Sequence, residues 1–455
     1  MHTGSIREIL FDVDRSDIRV DQHAVLEENA AVLKERREPF AIEGHADQRG
    51  SSEYNLALAD RRAKAVRESL VALGVPPERL KTISYGKERP FCTESGESCW
   101  QQNRSVHFRS LATAAAAAAG RDDAPFTIVR TFFGTDRKSS GVRAAGPVFG
   151  TEPDQNISFG TCTVSIPKDH RIGHWERPSI WTLHFTQDQR KDVILLGVQP
   201  QAEKDFFTLL RQGVERDEAR QAFVFVHGYN TTFDSAIQQT AILAYDLKFK
   251  GAAIAYSWPS RGELTKYPAD EDAVQLTVDH LRDFLRKVAT GSGATVVHLI
   301  AHSMGNRALT EALAELQSDA LTPRPANLGE VVLTAPDMEV GLFKRAVGAV
   351  KALARHVTLY ASSTDKALLA SHTFHSNARA GDAGEQILII PGVDSIDVSS
   401  VRTDFLGHSY FRDNASVIAD LFQLLQADSP PDKRTCLTAD HSPAGRFWVF
   451  GRCSE

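Results

Sequence analysis

The run Val296-Val297-His298-Leu299-Ile300-Ala301-His302-Ser303-Met304-Gly305 constrains this chain more than any other segment. Its apolar first half reads as a buried strand, and Asn306 to Leu316 reads as a helix. A chain that passes from strand to helix in so few residues must turn sharply. Small residues must flank the turn if the two elements are to pack. Ala301 and Gly305 are those residues, with Ala301 standing where the usual pattern has a second glycine; its methyl should fit. Such a turn lifts the side chain at its apex out of the backbone, which makes Ser303 the candidate nucleophile. The plainer alternative is a surface serine in an ordinary strand–helix turn.

Neighbouring segments bear on that choice. Ala222 to Val226 is another buried-strand run, followed by His227-Gly228-Tyr229-Asn230. A His-Gly loop in this position can turn a backbone N–H toward a developing oxyanion, from Tyr229 or Asn230, while Met304 supplies the second N–H. Each such donor is worth roughly 3–4 kcal/mol of barrier. A glycine turn that only closes the strand is the alternative. An acid and a base should follow in chain order. Asp365 lies past the strand-like run His356 to Ala361, and Asp337 lies past Val331 to Ala335; the later position is the usual one, which favours Asp365. The base candidate is His408, in Leu406-Gly407-His408-Ser409-Tyr410-Phe411, after a strand-like run from Gln386 to Pro391 and before a helix from Ser416 to Leu425. His372 and His375 also fit the order but read as polar loop residues. His302 reads as support for the turn.

On these residues, positions 126 to about 426 resemble a bacterial α/β-hydrolase family of esterase-like proteins. The matching pieces include Phe132-Phe133-Gly134-Thr135-Asp136-Arg137-Lys138, Phe159 to Pro167 with Gly173, and Ser257-Trp258-Pro259-Ser260. They also include Ala335-Pro336-Asp337, Ser363-Thr364-Asp365, Arg379-Ala380-Gly381 and Gly407-His408-Ser409-Tyr410-Phe411. The resemblance implies a Ser303–Asp365–His408 triad. It implies no particular substrate.

The other informative stretch is Ile42 to Asn55, which runs from a strand through a polar loop, with Asp47, into a helix. Leu56, Ala59, Ala63, Val66, Leu70 and Leu73 form one apolar helical face, Gly74 ends it, and Pro76-Pro77 prevent continuation. Arg61 and Arg62 sit near the first turns. An aspartate facing an arginine across a cleft suits a zwitterion, the carboxylate taking an ammonium group and the guanidinium a carboxylate. A surface salt bridge on a small α+β domain is the bland alternative. Residues 7 to 110 resemble the OmpA/Pal type of peptidoglycan-binding domain, in this loop and helix and in Ile83 to Pro90. The resemblance implies that Asp47 and Arg62 grip the diaminopimelate of a stem peptide, with Asn55, Leu58 and Arg104 completing the pocket. Asn103-Arg104-Ser105 departs from the family's usual Asn-Arg-Arg.

These readings predict an α+β OmpA-like domain over 1–110, an alanine-rich tether over 111–123, and an α/β-hydrolase domain over 124–426 with a mainly parallel sheet and helices on both faces. A tail over 427–455 follows, with a short added strand near Phe447 to Phe450. The 455 residues are too many for one typical domain, and the 42% hydrophobic content allows real cores. Net charge is −6 with acids and bases mixed, so nothing points to nucleic acid. No apolar run approaches the roughly 20 residues of a membrane span. Cys92 with Cys99, and Cys436 with Cys453, are candidate disulfides that suit an oxidising compartment. Cys162 reads as a buried thiol. No Cys/His spacing suggests a metal, and no cofactor is expected.

The chain opens on Met1-His2-Thr3-Gly4-Ser5 with no charged and apolar leader pattern. A domain of this kind has no cytoplasmic use, so we expect a native leader outside this sequence and a mature protein in the periplasm or at the outer membrane. The expected activity is that of a wall-anchored serine hydrolase acting on a carboxylic ester. An amidase or peptidase is one alternative; a non-catalytic wall-binding protein with a scaffold hydrolase half is another.

Overall fold

The structure is a computed structural model. It describes residues 6–36, 40–88, 90–92, 94–110, 125–143, 145–176, 188–262, 267–319, 324–365, 378–384, 387–401 and 414–451. The expected tether, the segment with His372 and His375, the segment with His408, and Cys453 lie outside the described residues. The chain divides into two compact units, 1–122 and 123–455.

The first unit is a four-stranded mixed sheet covered by helices. Its strands, β1 (Ile9–Leu10), β2 (Phe40–His45), β3 (Leu80–Gly86) and β4 (Ser105–Ser110), lie in the order β1-β4-β2-β3. Helices α1 (His23–Glu35) and α2 (Ser52–Ala72) pack on it, and α3 (Glu97–Asn103) precedes β4. The Ser51 hydroxyl caps α2 by accepting from Tyr54 N. Of the expected apolar face of α2, Ala59, Ala63, Val66 and Leu70 are fully covered, whereas Leu73 is half-buried and Leu56, at the start of the helix, is 49% exposed. Gly44 lets α2 lie directly on β2, since a Cβ there would sit 2.0 Å from the Ala59 carbonyl oxygen.

The second unit is built on a sheet with eleven strands among the described residues. In chain order its strands are β5 (Phe126–Arg143), β6 (Gly146–Pro167), β7 (Ile194–Gln201), β8 (Gln221–Val226), β9 (Ala252–Ser257) and β10 (Val296–His302). They continue with β11 (Leu328–Thr334), β12 (His356–Ala361), β13 (Asp394–Asp397), β14 (Leu437–Ser442) and β15 (Gly445–Phe450). The sheet order is β14-β15-β13-β12-β11-β10-β8-β9-β5-β6-β7. Every pairing from β5 to β15 through the middle is parallel, and antiparallel pairs occur only toward the two ends. The central strands are apolar on both faces. Val224, Val226, Leu299 and Ala301 join one core, and Phe223, Phe225 and Ile300 join the other. Such strands must be covered twice. Helices α4 (Glu203–Val214), α6 (Tyr267–Leu276), α7 (Val278–Gly291), α8 (Gly305–Ser318) and α9 (Val340–Leu353) cover the first face; α5 (Phe233–Asp246) and α10 (Ala415–Ala427) cover the second.

Two sequence expectations are corrected. The ladder strand expected at 386–391 is β13, a few residues later: Ile387 and Leu388 are buried without pairing, and a turn at Gly392 delivers the chain to Asp394. The segments Phe132 to Lys138 and Phe159 to Pro167, met in the sequence as separate pieces, belong to one long hairpin of β5 and β6, whose outer half is richer in polar residues but still buries Phe149.

Strand order decides where a site can form. From β8 the chain crosses to β9 on one side, and the next strand, β10, lies on the other. The carboxyl ends of β8 and β10 therefore flank a topological switch point, where the loops diverge and leave a crevice.

Candidate functional site

Ser303 stands at that switch point, between β10 and α8. Its φ is +52°, in the left-handed region, although it is not glycine. The neighbours hold it there. Ser303 N donates to the Thr334 carbonyl at 3.0 Å. The Asn306 side chain donates from Nδ2 to the carbonyls of Ser303 and Thr334, both at 2.9 Å. A Cβ at position 305 would stand 2.4 Å from the His227 carbonyl oxygen, so only glycine lets α8 start this close to the β8 loop. A Cβ at 228 would lie 2.8 Å from Ser303 Cβ. Ala301 is fully buried and its methyl is accommodated. Ser303 Oγ is buried and has no hydrogen-bond partner among the described residues. Met304 follows as the residue preceding the first turn of α8, where peptide dipoles favour negative charge.

The His227–Thr231 loop is clamped from below. Arg137, on β5, is buried and donates to the Thr231 carbonyl at 2.7 Å, to the Ser260 carbonyl at 2.9 Å and to Ser257 Oγ at 2.9 Å. Burial lowers its pKa to about 10. His227 lies against Arg137 and stacks on Trp258, whose indole N–H donates to the His227 carbonyl at 2.7 Å. Burial, then the arginine charge, push the His227 pKa down to about 3, so this imidazole is neutral. Asp270 accepts from Ser260 Oγ at 2.6 Å and from Asn230 N at 3.3 Å. The Asn230 N–H is thereby committed, which leaves Tyr229 of the two expected oxyanion donors.

The two candidate acids have different surroundings. Asp337, after β11, accepts from the Tyr267 hydroxyl at 2.6 Å and pairs with Arg379 at 3.3 Å. Asp365, after β12, is buried. Burial and the charges of Asp337, Asp365 and Asp270 raise the Tyr229 pKa, so both acids lie within electrostatic reach of the loop beside Ser303. His408 is outside the described residues. Asp270, Tyr267 and the clamping role of Arg137 escaped the sequence reading. The available signal was the ionic pair Asp136-Arg137 closing an otherwise apolar segment.

In the first unit, Asp47, Asn55, Leu58, Arg62 and Arg104 line one cavity of about 290 Å³. Asp47 is nearly buried. Burial opposes its ionisation, but hydrogen bonds from Arg49 and Arg104 outweigh this and hold its pKa below the usual carboxylate value. Arg49 donates from Nη2 at 2.6 Å and Arg104 from Nη1 at 3.1 Å. Arg62 is fully buried and donates to the carbonyls of Arg15, His45 and Asp12 at 2.8 to 3.0 Å. Burial, then the Arg104 charge, lower its pKa to about 10. Asn55 donates to the Arg49 carbonyl at 2.8 Å. Arg49 was not singled out beforehand; its two-residue spacing from Asp47 was the signal. Ser105, where the family's second arginine would stand, is buried and donates to the Gln102 carbonyl at 2.8 Å.

Cys92 and Cys99 form a disulfide, and Asn103 holds its loop through both backbone groups of Cys92. Cys436 is also disulfide-bonded, and Cys162 is a buried thiol. Among the described residues one group has metal-type donors within 4.8 Å of one another, Glu330, His356 and Asp428, and two of the three are exposed. No helix among the described residues is long and apolar enough to cross a membrane.

Comparison with known proteins gives two matches. Residues 10–104 match the OmpA family, and residues 202–427 match a family described as alpha/beta hydrolase of unknown function (DUF900). The peptidoglycan-associated lipoprotein of Mesorhizobium japonicum is 53% identical over 97 residues, 21% of this chain and 58% of that protein. The protein of the same name from Pseudomonas aeruginosa is 44% identical over 105 residues, covering 23% and 62%. The chain thus spans a little over half the length of these relatives. The crystal structure of the peptidoglycan-associated lipoprotein from Burkholderia pseudomallei is 38% identical and covers 23% of this chain and 89% of its own, with a TM-score of 0.22.

Proposed function

With residues 10–104 an OmpA-family domain and residues 202–427 an alpha/beta hydrolase domain, we propose that this chain is a serine hydrolase held on the cell wall. The observation that carries the catalytic half is the Ser303 backbone. A non-glycine residue in the left-handed region is strained by about 1–3 kcal/mol and persists only where the surroundings over-determine it. Here Asn306, Thr334 and the two close glycines do so, at a switch point, around a buried hydroxyl.

In the proposed cycle Ser303 Oγ attacks an acyl carbonyl and His408 takes its proton. Asp365 orients His408 and stabilises its imidazolium. The N–H groups of Tyr229 and Met304 hold the oxyanion. His408 then protonates the leaving group, and water releases the acyl group by the same steps in reverse. His227 is excluded as the base, because its buried imidazole sits against Arg137. A carboxylic ester is the proposed substrate, by analogy of fold; an amide is the alternative.

In the proposed anchor Asp47 takes the ammonium and Arg62 the carboxylate of a diaminopimelate stem peptide, with Asn55, Leu58 and Arg104 around it. The relatives' name and the shared cavity support this. The Cys92–Cys99 disulfide supports a place in the periplasm or at the outer membrane, since such bonds persist in oxidising compartments.

The test is a hydrolysis profile over p-nitrophenyl esters of graded chain length, with Ser303→Ala as the blank. We expect turnover by the wild type only. Equal rates for the two proteins, with ester and with amide substrates, would leave the hydrolase half as a scaffold.

A further inference from the structure

We infer that the second unit carries a further ligand site, for a single-chain anionic amphiphile, at the amino ends of β5 and β9, the end of these strands away from Ser303. Strand β9 starts just after Gly251 at this end and runs to Ser257 beside the Arg137 clamp, a span of about 20 Å. At its start lies a cavity of about 670 Å³. That volume falls within the roughly 300–1,000 Å³ usual for small-molecule sites.

The lining has two parts. Ile128, Leu209 and Phe249 are half-buried apolar walls, and Ile172 is 49% exposed at the mouth. Four exposed cations surround them: Arg130, Arg216, Lys248 and Lys250. None of the four side chains has a hydrogen bond or ion pair among the described residues. Arg282, Arg286 and Lys287 of the same unit are by contrast each paired with acids, although exposed lysines such as Lys204 and Lys344 are not. Among the described residues the one acid lining the cavity, Asp246, cannot neutralise them. Asp246 is fully buried and accepts from His170 Nε2 and from Gly173 N, both at 2.9 Å, while His170 Nδ1 is held by Glu176 at 2.7 Å. An apolar hollow ringed by unpaired positive charge fits a ligand with an alkyl chain and an anionic head. A fatty carboxylate and an alkyl phosphate share that chemistry.

The experiment is isothermal titration of the full chain with dodecanoate, dodecyl phosphate, dodecyltrimethylammonium and inorganic phosphate, each below its micelle concentration where it has one. We expect at least one of the anionic amphiphiles to bind, their relative affinity identifying the head group, and the cationic amphiphile and inorganic phosphate not to. Arg130→Glu with Lys250→Glu should weaken the anion at least tenfold. Ile172→Asp with Arg216→Glu is an independent second pair. All four positions are exposed, and thermal unfolding checks that each variant folds. Comparable binding of the cationic amphiphile, or undiminished binding by a folded variant, would overturn the assignment and point to the Ser303 crevice or to non-specific association. No binding by either anionic amphiphile would overturn it as well. The outcome does not depend on whether Ser303 is catalytic.

Discussion

Asp337 and Asp365 are both buried near the same crevice, and Asp337 holds structural partners of its own. Its carboxylate holds Arg379 and the Tyr267 hydroxyl, so its loss strands a buried guanidinium. We expect Asp337→Asn to destabilise the second unit by about 3–5 kcal/mol and to change kcat less than tenfold in folded protein. Asp365→Asn should instead lower kcat by about four orders of magnitude, because the imidazole loses its orienting partner. Thermal unfolding and steady-state kinetics on one ester separate the two. The reverse pattern would move the acid's role to Asp337. In the first unit, Asp47 and Arg62 should each be needed for retention on purified peptidoglycan sacculi. Charge-assisted hydrogen bonds of about 1.5–3 kcal/mol imply a ten- to hundred-fold loss for Asp47→Ala or Arg62→Ala, with hydrolysis of soluble esters unchanged. Equal retention of wild type and both variants would mean another mode of binding.

His170 ties the segment after β6 to α5 through Asp246. Burial opposes its protonation, but its hydrogen bonds to the carboxylates of Asp246 and Glu176 outweigh this and raise its pKa to about 9. An unfolded imidazole titrates near about 6.5. Between these values the folded chain keeps a proton that the unfolded chain releases, so this contribution is full below pH about 6.5 and is lost as pH rises toward 9. Thermal midpoints across that range should fall for wild type and stay flatter for His170→Gln, whose midpoint is lower at pH 6. A parallel decline would assign the pH effect elsewhere. At the far side, Arg434 donates to Asp420 of α10 at 3.0 Å with both side chains fully buried, and Tyr360 of β12 also donates to Asp420. The match to the hydrolase family ends at 427, yet cutting there strands Asp420. We expect the fragment 124–427 to be less stable than 124–455 by about 3–5 kcal/mol, read from urea unfolding; equal stability would make the hairpin an ornament. Elements with strong periodicity, such as β10 with α8 and the α2 face, were legible in the sequence. The four-residue β13 was not, because Asp394, Ser395 and Asp397 give it no apolar signature. Nor was the clamp on the crevice loop, since Arg137 meets Thr231 across 94 residues of chain and no local pattern encodes such a pairing.

Each unit of the molecule has its own sheet and its own apolar core. We therefore expect limited proteolysis to cut first between Ser110 and Ala124, releasing two folded fragments. The absence of a preferred cut there would count against independent units. The ends of the large sheet matter in a further way. An open sheet exposes unpaired backbone at its outer strands, and flat apolar edges invite other chains to pair with them. Here one outer strand, β7, contains Pro200, which has no N–H to offer. The other, β14, is short and mostly exposed, with Asp440 and His441 along it. A protein that gathers at high density on one polymer, as proposed, meets copies of itself far more often than one free in solution. Edges so poorly suited to recruiting another strand let it crowd there without aggregating.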